Sequence, residues 1–137
     1  MAGFGKEFIL DKDENFDEFV ASLGISEDKA ELVRKHKSAQ KLVKLGDDEY
    51  VFVIVSHRGT KELKFTNGVE FDEEVAEGIV AKSTFTVDGN VVIQQQKFED
   101  GRSLTFKREF SEDSLVVTIT SSFWDGSAKR YYVPVQN

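Results

Sequence analysis

Two arginines interrupt apolar alternation in the last third of the chain. Arg108 lies between Phe106 and Phe110, and Arg130 between Ala128 and Tyr132, each at a spacing of two, so an extended strand turns each arginine to the same face as its apolar neighbours. A guanidinium stays charged and presents its donors in a rigid fork that matches an anionic oxygen pair. With a phenol beside them, these residues suit holding an anion. Transforming one is another matter, because the only histidines are His36 and His57, cysteine is absent, and no HExxH, CxxC or spaced His/Asp set accompanies them. The two histidines read as surface residues, and no catalytic residue, metal or other cofactor is expected. The glycines sit at turn-like positions such as Asp88-Gly89, Asp100-Gly101 and Asp125-Gly126, which are hairpin signals and not a phosphate-cradling loop.

Composition narrows the setting. A chain of 137 residues is near the usual size of one domain and can bury a usable core, so a single domain over 1–137 is expected. With 25 acidic against 18 basic residues, the formal net charge of -7 repels phosphates and argues against nucleic acid as a partner. The absence of cysteine, of a charged-then-apolar leader over Met1 to Leu10 and of a membrane-length apolar run points to a cytoplasmic protein.

The elements that must position the arginines follow from periodicity. Phe16, Phe19, Val20 and Leu23 recur at helical spacing before a stop at Gly24. Ser26 can cap a second helix with Glu27 and Asp28 in its first turn and a basic end at Arg34, Lys35 and His36. From Lys37 onward the pattern becomes short β-branched and aromatic runs separated by Gly-Asp, Asn-Gly and Asp-Gly turns, the mark of an antiparallel meander.

Residues opposite one another across a hairpin share a face, so turns assign directions. A four-residue loop at Ser111 to Ser114 sets Phe110 opposite Leu115, Arg108 opposite Val117 and Phe106 opposite Ile119. A two-residue turn at Asp125-Gly126 would set Phe123 opposite Ala128, Ser121 opposite Arg130 and Ile119 opposite Tyr132, leaving Trp124 facing outward. A two-residue turn at Asp88-Gly89 groups Phe85, Ser83 and Ala81 with Val92, Gln94 and Gln96. A three-residue loop at Glu99 to Gly101 sets Gln96 opposite Leu104 and Gln94 opposite Phe106. The other face carries Thr105, Lys107, Glu109, Thr118, Thr120 and Lys129, as a water-facing exterior should.

A closed sheet whose interior mixes Phe85, Phe106, Phe110, Val117 and Ile119 with Gln94, Gln96, Arg108, Arg130 and Tyr132 cannot pack dry, because unpaired buried guanidinium groups are too costly. One solution is a cavity in which a bound anion satisfies the donors while apolar walls receive a tail, as a lipid carboxylate would require. The alternatives are pairing with interior acids, or a register shifted by one that puts both arginines outside.

The chain resembles the intracellular lipid-binding proteins, which include the fatty-acid-binding and cellular retinoid-binding proteins. The resemblance runs along essentially the whole chain: Phe8-Ile9-Leu10, Glu14-Asn15-Phe16-Asp17, Phe19-Val20 and Leu23-Gly24, then Gly68 to Glu73, Lys82-Ser83-Thr84, Val87-Asp88-Gly89, Leu115 to Thr118 and Ala128 to Tyr132. Leu115 through Trp124-Asp125-Gly126 to Tyr132 is especially similar to the insect cytosolic fatty-acid-binding type. The resemblance implies an all-β fold, a ten-stranded antiparallel up-and-down β-barrel (β-clam) with a helix-turn-helix lid over about 15–36. It also implies that Arg108, Arg130 and Tyr132 bind the ligand carboxylate, with Phe16, Phe19, Phe85, Gln94, Gln96, Phe106, Val117 and Ile119 lining the cavity and Glu77 in the place of an acid that supports the second arginine. Glu7 departs from the N-terminal signature, and departures at Phe8, Ser38 and near His57 and Arg58 concern the portal and chain-length preference.

The expected function is an intracellular carrier that reversibly binds long-chain fatty acids, acting as a monomer. The rival is a binding protein for retinoids, carotenoids or another hydrophobic hormone-like ligand. Lys29, Arg34, Lys35, His36 and Lys37 on the lid could also make transient contact with anionic membranes, against the simpler reading of a solvated helix face.

Overall fold

The computed structural model describes residues 4–35, 38–56, 59–76 and 78–135, with the side chains of 33–35 and 76 outside that description. In chain order the elements are β1 (Phe8–Glu14), α1 (Phe16–Ser22), α2 (Glu27–Lys35), β2 (Ala39–Lys44), β3 (Glu49–Ser56), β4 (Gly59–Thr66), β5 (Phe71–Ala76), β6 (Ile79–Asp88), β7 (Val91–Lys97), β8 (Ser103–Phe110), β9 (Leu115–Ser121) and β10 (Trp124–Pro134). Strands β6, β7 and β9 alternate in burial, as β7 does from Val92 through Gln94 to Gln96, because one face looks inward and the other to water.

The strands form one antiparallel sheet in the order β4-β3-β2-β1-β10-β9-β8-β7-β6-β5, with the first and last strands of the chain paired. Curling this meander brings its two ends, β4 and β5, toward each other to make a nearly closed barrel, as expected. The end strands share no ladder hydrogen bonds among the described residues. Next to this gap, the Asn67 side chain acts as a surrogate strand. Its Oδ1 accepts from the Val87 N–H at 2.9 Å and its Nδ2 donates to the Val87 carbonyl at 3.2 Å.

The two helices form by the expected logic. Phe16, Phe19 and Val20 are buried at i, i+3 and i+4, and Gly24 ends the segment at φ +70°. In α2 the Ser26 hydroxyl accepts the Lys29 N–H at 3.3 Å, and Ala30 is buried.

The β8–β9 register is as the turns require, Arg108 opposite Val117 and Phe106 opposite Ile119. So is β7–β8, with Gln94 opposite Phe106 and Gln96 opposite Leu104. Two other turns fall elsewhere. In β6–β7 Asp88 stays in the ladder opposite Val91, so Phe85 faces Gln94 and Ser83 faces Gln96. Gly89, at φ +60°, thus takes the first central turn position, where a type II′ turn favours glycine. In β9–β10 the chain reverses at 122–123, Trp124 pairs with Ser121, and after an irregularity Ala128 faces Ile119, Arg130 faces Val117 and Tyr132 faces Leu115. The shifts are even, two residues and four, so the ladder residues away from the displaced turns keep their faces.

Trp124 departs from its outward expectation for a related reason. It is half-buried, packs on the core and lies 5.9 Å, centroid to centroid, from Phe19 of α1. Gly126 serves the indole and not a turn, since a Cβ there would lie 2.5 Å from Trp124 Cζ2. Gly126→Ala is therefore expected to displace the indole, change Trp124 emission and cost about 1–3 kcal/mol of stability by overpacking. Fluorescence-detected urea unfolding measures both effects.

Candidate functional site

The interior is built from strands that lie far apart in sequence. Its apolar wall is an aromatic column in which Phe65 stacks on Phe85 at 4.4 Å between ring centroids and on Tyr50 at 5.5 Å, with Phe52 and Phe71 also against Phe85. Phe85, Val117, Ile119, Phe16 and Phe19 are buried, and Phe106 is half-buried against the core.

Arg108 of β8 is buried inside this wall, with its guanidinium 4.4 Å from the Phe52 ring centroid. Its Nε donates to Gln40 Oε1 at 2.9 Å and its Nη1 to Gln94 Oε1 at 2.8 Å. Since β2 and β8 are not neighbours in the sheet, the bond to Gln40 crosses the lumen. The amide of Gln94 donates in turn to Glu73 Oε1 at 3.1 Å, joined there by Gln96 Nε2 at 3.1 Å and the Ser83 hydroxyl at 2.6 Å. Lys61 Nζ stands 3.7 Å from the other oxygen, Glu73 Oε2. Burial pushes the Arg108 guanidinium down to about 10, against the upward pull of Tyr132 and Glu73. It remains charged at neutral pH, held by neutral amides on one side and an acid one amide away.

Arg130 differs. Its guanidinium lies 4.0 Å from the Phe16 ring centroid, and its Nη2 is 3.8 Å from Asp13 Oδ2, beyond hydrogen-bond reach. Nε and Nη2 are buried and make no hydrogen bond. Arg108 and Arg130 flank Val117 from either side, in one row across three strands. Tyr132 is buried and is an electrostatic neighbour of Arg108. The structure thus brings Arg108, Gln94, Gln96 and Tyr132 toward one polar centre and turns Arg130 toward the first helix.

A cavity of about 210 Å³ lies beside this centre, lined by Gln40, Phe52, Glu73, Gln94, Phe106 and Arg108 among others. A larger surface cleft of about 580 Å³, at Lys6, Glu7, Lys41 and Asp113, has charged walls and none of the interior aromatics. Gln40, Phe52 and Glu73 are the participants that sequence reasoning overlooks. The signal for Glu73 was present, since it shares a face with Phe71 in β5 opposite Ala81. Glu77, His36, Lys37, His57 and Arg58 lie outside the described residues, as do the side chains of Arg34 and Lys35. Among the described residues no group of His, Cys, Asp or Glu could hold a metal ion, and no helix is long and apolar enough to cross a membrane.

No protein-family model matches the chain. Among curated proteins it is 49% identical to fatty acid-binding protein 1 of Manduca sexta over 132 residues, 96% of this chain and 98% of that protein. The chain belongs to the fatty-acid-binding proteins, within the intracellular lipid-binding family. The solved structure of the fatty-acid-binding protein isolated from Manduca sexta agrees, with a TM-score of 0.87 and 45% identity over 96% of this chain and 99% of that one. A Schistosoma mansoni fatty acid binding protein, solved in complex with arachidonic acid, has the same fold at a TM-score of 0.85 and 23% identity, covering 99% of this chain and 98% of that one. Membership in the fatty-acid-binding proteins makes the chain a carrier and not an enzyme.

In this fatty-acid-binding protein, Gln94 bonds both to a buried cation and to a buried anion. Gln94→Leu is expected to cost about 3 kcal/mol of stability, since hydrogen bonds to charged groups contribute roughly 1.5–3 kcal/mol each and the orphaned groups stay buried. Chemical denaturation should show a lower midpoint at an unchanged slope.

Proposed function

We propose that the chain is an intracellular carrier that reversibly holds one class of ligand, a long-chain fatty acid, inside the barrel and releases it unchanged. The observation that carries this reading is the Arg130 guanidinium, with two buried nitrogens that make no hydrogen bond. Buried guanidinium nitrogens without a hydrogen bond are costly, even with Asp13 and the Phe16 ring nearby, and a carboxylate at that point would offset the cost with charge-assisted bonds. Arg108, already held by Gln40 and Gln94, acts mainly as a second source of positive potential, and Tyr132 lies in its field. The apolar tail then runs along the aromatic column. The names of the relatives favour a fatty acid over a retinoid, carotenoid or other hormone-like ligand. The carrier is read as monomeric and cytoplasmic.

A free fatty acid should bind about 10- to 100-fold more tightly than its methyl ester, because the ester forfeits a charge-assisted interaction of roughly 1.5–3 kcal/mol. Arg130→Gln should weaken the acid and leave the ester nearly unchanged, which a packing defect would not do. Titration of wild type and variant with both ligands measures this, and equal wild-type affinities would overturn the headgroup assignment.

Transient docking on anionic membranes is a second reading. It is favoured by the exposure of Leu32 (61%) and Ile25 (37%) on the lid, together with exposed Lys29. Lys29→Glu combined with Leu32→Ser should slow transfer of fatty acid to anionic vesicles and leave equilibrium affinity unchanged. Lid charges act over on the order of 8 Å in physiological salt and so do not govern a ligand inside the barrel. Stopped-flow transfer rates decide it.

A further inference from the structure

Among the described residues the barrel's pairing breaks between β4 and β5, and the gap is crossed by a side chain that no expectation had singled out. Lys61 of β4 donates from Nζ to the backbone carbonyl of Glu74 in β5 at 2.9 Å, and the same Nζ stands 3.7 Å from the buried Glu73 carboxylate. Its side chain is 45% exposed, so the ammonium sits at the rim while its partner lies inside.

We infer that Lys61 is a positioning residue for the cavity, a strap that joins the two edge strands and neutralises Glu73 so that the interior keeps a net attraction for an anion. Two facts support each half. Edge strands expose unpaired backbone groups, and a donor reaching the Glu74 carbonyl satisfies one across the gap. Glu73 is a negative group lining the same cavity as Arg108, and it is wired to Arg108 through Gln94. Left uncompensated, it would cancel part of the field that Arg108 and Arg130 present to an incoming carboxylate. An ammonium near its second oxygen restores the balance. This role rests on the anionic ligand proposed above, whereas the strap itself does not.

The test uses the full chain with oleic acid and methyl oleate as probes. Lys61→Met should weaken oleic acid about three- to fivefold at low salt, the scale of a half-exposed ion pair, and leave methyl oleate within error. The same variant, without ligand, should speed amide hydrogen exchange in β5 around Glu73 and Glu74. Lys61→Arg should restore both readouts. Lys61→Gln keeps a donor but no charge, so it should keep exchange protection and lose affinity, which separates the two roles and serves if the methionine variant unfolds. In a Glu73→Gln background, Lys61→Met should no longer affect oleic acid affinity. If wild type fails to distinguish acid from ester, the headgroup reading falls and the exchange experiment still judges the strap. If it does distinguish them, and Lys61→Met matches wild type in both affinity and exchange, the role of Lys61 is overturned.

Discussion

The structure depends on a charge that must be kept out of water without being left alone. Arg108 projects from β8 into an aromatic interior, where desolvation works against it strongly enough to pull its proton affinity down. Among the described residues the answer is neutral acceptors, Gln40 and Gln94, and not a carboxylate in direct contact. A direct pair would have closed the interior electrostatically. Amide acceptors satisfy the donors and leave the positive charge in place, and the acid that completes the chain of bonds, Glu73, stands one residue further off. The remaining interior follows from this arrangement. Glutamines occupy positions that would otherwise be apolar, and the core is a wall around a space instead of a filled centre.

Arg130 shows the other way of burying a guanidinium. Its ring partner Phe16 belongs to α1, so the least satisfied group of the cavity is also in contact with the lid. The same helix places Phe19 on Trp124, and both contacts are with β10. The lid is therefore seated on the strand that carries Arg130 and Tyr132.

Much of this was legible in the chain because strand faces repeat every two residues. The hairpins at Ser111 to Ser114 and Glu99 to Gly101 could be paired residue by residue, and Arg108, Gln94 and Gln96 were thereby turned inward. The Asp88-Gly89 and Asp125-Gly126 turns were misplaced, yet by even steps, so the inward set survived. What misled was an ambiguity in glycine. Gly126 is small because an indole lies over it, and a dipeptide gives no means of telling that need from a turn's. The contributions of Gln40 and Glu73 were not legible for a different reason. Their importance lies in contacts that cross the lumen or span neighbouring strands, and a single strand's alternation reports a direction without reporting what lies opposite. The strap at Lys61 was hidden likewise, since a lysine on a strand that ends a sheet looks like any solvated charge.

The bond from Arg108 to Gln40 joins strands on opposite sides of the barrel, and so acts as a tie rod. A cross-section held in this way does not widen by small degrees, because the bond must either remain or break. A thin flexible molecule can lie alongside the rod and leave it intact. A broad rigid one that filled the cross-section would have to displace it, exposing a charge in a medium of low polarity. On the carrier reading proposed above, selection between slender and bulky guests would be a step in free energy instead of a limit of volume.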